Sequence, residues 1–235
     1  MAALLLVLLA FSGAPANPIV IQKGETIDTF SRKYLNDPRK WRDVLRANKL
    51  TEKDFKPGAR IEIPREILRR GDAMVVNMQQ RAEYSRSHSE DWLSAVTGLM
   101  LYAQDRVKTD TQGALQLVFR NAAQVTVRPG TELILNIEGS DGLFLKEGRI
   151  RSLLKEKAAF SVTTPAAIAS VRGTDFETEV SESGATTVSC FAGSVDVSAQ
   201  GRTVNLPAGH TLNVQPGKAP GAPEKLPPPP ARKVP

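Results

Sequence analysis

Thr187-Val188-Ser189-Cys190-Phe191, followed by Gly193-Ser194-Val195-Asp196-Val197 and Leu206-Pro207-Ala208-Gly209, is the stretch that decides the fold of this chain. Apolar and small polar residues alternate, so every second side chain falls on the same face, the period of a half-buried strand. Gly184, Gly193, Gly201, Gly209 and Gly217 interrupt the alternation every eight or nine residues. Val188, Val195, Val197, Val204, Leu206, Leu212 and Val214 lie between them. Short strands at that spacing predict an all-β sandwich, barrel or solenoid and argue against a parallel α/β sheet.

The same texture extends upstream. Val125-Thr126-Val127 alternates, Pro129-Gly130 turns, Leu133-Ile134-Leu135-Asn136-Ile137 resumes the strand, and Gly139-Ser140-Asp141-Gly142 reads as a turn between strands. A helical interruption is expected around Trp92 to Met100. The β domain is thus expected over residues 72–217. Its clearest motifs are Phe160-Ser161-Val162-Thr163-Thr164-Pro165, Ala169-Ser170-Val171-Arg172-Gly173-Thr174-Asp175-Phe176, Gly193-Ser194-Val195-Asp196-Val197 and Leu206-Pro207-Ala208-Gly209. On these residues the segment resembles the FecR domain. Asp105-Arg106-Val107-Lys108-Thr109 and Ala114-Leu115-Gln116-Leu117 extend the likeness, with departures at Gln104, where glycine is common, and at Asn121-Ala122, where Asp-Gly is common. The resemblance implies a β-solenoid-like or β-sandwich body used in protein interaction and envelope signalling.

Residues 18–64 read differently. Ile19-Val20-Ile21 is a short β-type run, and Lys23-Gly24-Glu25-Thr26 is a turn ending on a helix N-cap. Ile27, Phe30 and Tyr34 share one face of a helix over 27–34. Asp37 caps a second helix with Pro38 in its first turn, Trp41, Val44 and Leu45 on its stripe, and Asn48 at its end. Pro57-Gly58 then turns into Arg60-Ile61-Glu62-Ile63 and Pro64. Lys23-Gly24-Glu25-Thr26-Ile27, Asp37-Pro38 with Trp41, Asn48-Lys49-Leu50 and Lys56-Pro57-Gly58 ahead of Ile61-Glu62-Ile63-Pro64 make the segment resemble a LysM domain. With the β domain behind it, the expected class is α+β: a small βααβ LysM-like module followed by an all-β FecR-like domain. The LysM resemblance implies non-catalytic binding of N-acetylglucosamine-containing glycan strands, chiefly peptidoglycan, in a groove walled by Gly24, Glu25, Thr26 and Ile27 on one side and by Leu50 and Pro57 on the other.

The ends carry less information. Ala2 to Phe11 is unbroken apolar sequence followed by Ala14-Pro15-Ala16, which reads as a signal peptide over residues 1–16 and places the chain outside the cytoplasm, in the periplasm and against the cell wall. No basic residue precedes the apolar run. Residues 65–71 read as a basic connector. Residues 218–235, with Pro227-Pro228-Pro229-Pro230, read as a proline-rich tail that is unable to bury a core.

The net charge of +6 alone selects no partner. Arg65, Arg69 and Arg70 form a short cluster without interleaved aromatics, so nucleic acid is not an expected partner. One cysteine, Cys190, excludes an intramolecular disulfide, and with His88 and His210 as the only histidines it supplies neither a recognisable zinc set nor a thiol and base in a known motif. Glu52 with Asp54 and Asp175 with Glu177 are the candidate carboxylate pairs, each with a plainer reading as loop or strand surface. No phosphate-cradling glycine loop is present. The expectation is a non-enzymatic, cofactor-free envelope protein, anchored on peptidoglycan and presenting its FecR-like domain to an envelope partner. The alternative is the periplasmic part of a FecR-type signalling system acting through a separate membrane partner.

Overall fold

The computed structural model describes residues 18–64, 67–68, 71–87, 89–135, 142–155 and 159–227. The expected signal peptide, His88, Arg65, Arg69, Arg70 and the end of the proline run lie outside the described residues.

The N-terminal part contains β1 (Ile19–Val20), α1 (Ile27–Tyr34), α2 (Trp41–Ala47) and β2 (Arg60–Ile61). Helix α1 starts where its donors are satisfied: Thr26 Oγ1 accepts from Thr29 N at 3.2 Å, and Thr26 N donates to Thr29 Oγ1 at 2.8 Å. Asp37 accepts from Arg39 N at 3.0 Å and opens a 3₁₀ turn, Pro38–Lys40, that leads into α2. Asn48 does more than end that helix. Its amide donates to Val44 O at 2.8 Å and Glu62 O at 2.6 Å and accepts from Glu62 N at 2.8 Å, tying the helix end to the chain beyond β2.

The α+β class with a LysM-like βααβ start is corrected by this structure, which is mostly β. Among the described residues the two α-helices are eight and seven residues long, against nineteen strands. Strands β1 and β2 pair over only two residues each, and the apolar cluster of Ile21, Phe30, Tyr34, Val44 and Ile61 is completed by Ile67 and Tyr102 from farther along the chain. This two-stranded sheet is separate from that of the β body, and its apolar cluster is distinct from the body's core, with Tyr102 as a point of contact.

That body begins with β3 (Ala73–Gln79), β4 (Ala82–Ser85), β5 (Leu93–Ser94), β6 (Met100–Leu101), β7 (Arg106–Thr109), β8 (Ala114–Phe119), β9 (Gln124–Val127) and β10 (Glu132–Leu135). It continues with β11 (Gly142–Leu153), β12 (Ala159–Thr163), β13 (Ile168–Arg172), β14 (Asp175–Val180), β15 (Thr186–Ala192), β16 (Ser194–Ala199), β17 (Arg202–Pro207), β18 (His210–Val214) and β19 (Glu224–Lys225). Pairing places them in two layers. The first runs β5, β4, β7, β10, β11, β12, β13, β16, β17. The second runs β6, β3, β8, β9, β11, β14, β15, β18, β19. Only β11 with β12 is parallel among these pairs. Leu133, Leu145, Val162 and Val197 from the first layer meet Leu117, Val125, Ile150, Phe176 and Val188 from the second in one core.

The recurring glycines alternate between two tasks. Gly184 and Gly201 turn hairpins within a layer, whereas Gly193 and Gly209 carry the chain from one layer to the other, all at positive φ. Strand β11 belongs to both layers: residues through Glu147 pair in the first, and residues from Gly148 pair in the second. At Gly148, φ is +91°, and a Cβ would lie 2.5 Å from Thr131 Cα and 2.6 Å from Gly130 O, so no other residue fits without a shift of backbone.

The helical part is held to the body by one carboxylate. Asp105, fully buried, receives Lys33 Nζ of α1 at 3.1 Å, the Arg86 guanidinium, Ser87 N at 3.2 Å and Tyr102 N at 2.9 Å. Arg86 also donates to Met100 O at 3.0 Å and lies 4.8 Å over the Tyr84 ring, while Tyr34 meets Tyr102 edge-on at 4.8 Å.

Two further expectations differ. No helix forms over Trp92 to Met100: Leu93 and Ser94 pair with Tyr84 and Glu83, and the Trp92 ring lies against Lys108 Nζ at 4.0 Å. Part of the proline-rich end is a strand, with Glu224 and Lys225 paired to Thr211 and His210, and Leu226 N donating to Gly209 O at 2.9 Å.

Two outcomes follow for stability. Gly148→Ala combines a strained backbone with a backbone clash and is expected to cost about 2–4 kcal/mol in urea unfolding. Asp105→Asn leaves Lys33 and Arg86 facing each other without an anion and is expected to cost about 3–5 kcal/mol by the same measurement.

Candidate functional site

The positions expected to hold a glycan are brought to one end of the N-terminal part, but each has a structural task or faces solvent. Gly24 is exposed at φ +83° in the turn, and Thr26 is occupied in the capping box. The Glu25 carboxylate accepts from Gln22 N at 3.0 Å and faces the Lys33, Asp105 and Arg86 charges; burial pushes its pKa up, partly offset by that hydrogen bond. Leu50 packs against the Ile21–Phe30–Ile61 cluster. Pro57 is exposed beside Gly58, whose N–H donates to Ile21 O at 2.9 Å. Ile27 borders a void of about 10 Å³ within the apolar cluster, shared with Phe30, Trp41 and Phe55.

The remaining titratable candidates are also accounted for. Cys190 stands opposite His210 in the β15–β18 ladder, yet the thiol is buried, contacts Ala192 O at 3.7 Å and is pushed up by desolvation, away from the thiolate form. His210 Nδ1 lies 3.1 Å from Ala208 O. Asp54 is held down by hydrogen bonds from Thr51. Asp175 forms a two-point pair with Arg151 at 2.9 and 2.8 Å, and Glu177 faces Arg149 at 3.8 Å. Among the described residues no cluster of three His, Cys, Asp or Glu side chains is placed to hold a metal ion.

The outer face of the first layer is different. Strands β12, β13, β16 and β17 align Ser161, Ser170, Asp196 and Asn205 in one row across the sheet, and Ala159, Arg172, Ser194 and Pro207 in the next. Small side chains leave a shallow cleft of about 680 Å³ over Ala159, Ser161, Ser170, Arg172, Ser194 and Asp196. Asp196 accepts from Asn205 Nδ2 at 2.7 Å. Arg172 is exposed and makes no ion pair among the described residues.

That arginine stands out within its own motif. Val171 is buried, Gly173 crosses between layers at φ +63°, and Thr174 is buried with Oγ1 donating to Ser194 O at 2.9 Å. Asp175 pairs with Arg151, and Phe176 is fully buried. Every neighbour is used by the fold, while Arg172 is turned outward. On the second layer Arg149 meets Glu179 at 2.8 Å, and Arg151 meets Asp175 and stacks 4.7 Å from Phe191. The cleft therefore offers a free guanidinium, serine hydroxyls and a carboxylate without a paired nucleophile and base, an arrangement suited to recognition. Sequence reasoning quoted Arg172 but gave it no role. Alternation marks it as outward, yet only the pairing of β12, β13 and β16 brings it beside Ser194 and the serine row.

Comparison with known proteins agrees with the β body. The family model described as FecR protein matches residues 105–196, from the buried Asp105 to Asp196 of the cleft, and leaves residues 18–64 outside. No curated protein matches the chain. Two crystal structures of a candidate anti-sigma factor from Parabacteroides distasonis ATCC 8503 are similar at a TM-score of 0.45 and 18% identity, covering 51% of this chain and 59% of that one. This chain thus spans less than two thirds of those relatives. The LysM resemblance of residues 18–64 finds no support in these comparisons. Residues 105–196, strands β7 to β16, are a FecR domain.

Proposed function

We propose that this protein is a non-catalytic regulatory component of FecR type, which works outside the cytoplasm by binding a partner protein through the outer face of the first layer and signals through a separate membrane protein. Two things support this reading: the FecR match over β7 to β16, and an open Arg172 in a motif whose other residues are consumed by packing, turns and ion pairs. Among the described residues no helix is long and apolar enough to cross a membrane. The glycan-anchoring reading has less behind it, since the family match covers residues 105–196 and leaves the N-terminal part outside.

The test is Arg172→Ala in the full chain. A solvent-exposed side chain without partners is expected to leave unfolding free energy within about 0.5 kcal/mol of the parent. Transcription of the genes that respond to deletion of this protein should then shift as it does in the deletion strain. A deletion strain with an unchanged transcript profile would remove the regulatory reading. Sedimentation of the full chain with insoluble peptidoglycan, lost in a chain starting at Gly71, would restore glycan anchoring in its place.

A further inference from the structure

The two layers have four open sides, and three of them are closed off by very short strands: β5, β6 and β19 are two residues each. The fourth is β17, six residues from Arg202 to Pro207, paired among the described residues on one side only, with β16. A long strand with one free side is a ready template for another chain, and proteins usually blunt such edges. Here blunting is confined to the ends, where Arg202 and Pro207 stand.

The register says which groups are free. Ala199 and Arg202 close a two-residue hairpin through Gln200 and Gly201, both at positive φ, so they form a hydrogen-bonded pair. Alternation then makes Val197–Val204 and Val195–Leu206 hydrogen-bonded pairs and leaves Thr203, Asn205 and Pro207 at the other positions. Pro207, with no N–H, sits where no inward donor is needed. The N–H and C=O groups of Thr203 and Asn205 consequently point away from the sheet. On the inner face of the same strand Leu206 is fully buried and Val204 half-buried at the rim of the core, and the exposed Arg202 is the strand's only charge, without an ion pair among the described residues.

We infer that β17 is the docking edge for an extended segment of a partner protein, added antiparallel as the next strand of the first layer, with apolar residues opposite Leu206 and Val204 and an acidic residue opposite Arg202. Main-chain hydrogen bonds to Thr203 and Asn205 hold such a strand, and its alternate side chains extend the rim of the core beside Val204. Charge selects a foreign segment over a second copy. Antiparallel self-pairing about Val204 sets Arg202 against Leu206 and brings it no acid. A six-residue edge alone also buries far less than the roughly 1,200–2,000 Å² of a stable interface between two folded copies. The Asp196–Asn205 hydrogen bond joins this edge to the Arg172 cleft, so the inference rests on the protein-binding reading above and names the geometry of that binding.

The experiment is a titration of the isotope-labelled full chain with a blocked peptide, acetyl-Thr-Val-Thr-Val-Thr-Asp-Thr-amide, followed by backbone amide shifts and hydrogen exchange. In the free chain the Thr203 and Asn205 amides should exchange fast while Val204 and Leu206 are protected. Peptide should shift residues 202–207 and protect Thr203 and Asn205. Asn205→Pro, which removes the outward donor together with the side-chain hydrogen bond to Asp196, should weaken binding at least tenfold, whereas Asn205→Ala, which loses only that side-chain bond, should bind as the parent does. Arg202→Glu should weaken binding as Asn205→Pro does and regain it with the peptide carrying Lys in place of Asp. Absence of peptide-induced shifts at 202–207, or binding to Arg202→Glu that ignores the Asp-to-Lys exchange, overturns the inference. So does a dimer in sedimentation whose Thr203 and Asn205 amides are already protected. A regulatory response lost in Arg172→Ala but intact in Asn205→Pro would sink the edge and leave the regulatory function standing. Peptide binding at β17 in a protein whose deletion changes no transcript would do the reverse.

Discussion

The whole β body depends on one strand being shared. Residues 142–153 form a single twelve-residue strand whose first half pairs in one layer and whose second half pairs in the other, so the two layers cannot slide or part without breaking it. The change of partners takes place at Gly148, pressed against the Gly130–Thr131 backbone. Everything later in the chain inherits its placement. Strand β12 is aligned on the first half, β14 on the second, and the later hairpins then add outward in alternate layers.

The second organising element is electrostatic. A fully buried carboxylate is tolerated because Asp105 gathers two cations and two backbone donors, which offset its desolvation. The cations come from different places: Lys33 from α1 and Arg86 from the segment after β4. That is why the short helices, with a two-residue strand pair beside them, keep a defined position against a body to which residues 65–71 link them in sequence.

Much of this was legible in the residues. The bounds of α1 follow from Thr26 and the Ile27–Phe30–Tyr34 stripe, and the late strands follow from glycine spacing and valine alternation, because capping, turning and period are local properties. What stayed hidden was non-local. No window of sequence shows that β16 lies beside β13 and not β14, and so none shows that Arg172, Ser194 and the serine row share one cleft. The α+β class failed for the same reason: each N-terminal element could be seen, but not that its core would be finished by Tyr102 and dwarfed by the seventeen strands described in the body. Glu25 and Leu50 looked idle in sequence because their partners, Gln22 N with the Asp105 cluster and the Ile21–Ile61 cluster, are set by folding. The helical interruption expected from Trp92 is a strand pairing instead, with the Lys108 ammonium over the Trp92 ring.

The single cysteine has a consequence of its own. Cys190 is sealed between the layers, on the strand flanked by β14 and β18, with no exposed surface and a thiol held in its protonated form. An alkylating reagent reaches it only in molecules whose strands have come apart, and no second thiol competes for the label. The rate of labelling in otherwise native solution is therefore a clock for the opening of the sandwich itself. The protein carries a built-in reporter that counts how often its core meets water, with no need to unfold the population to ask.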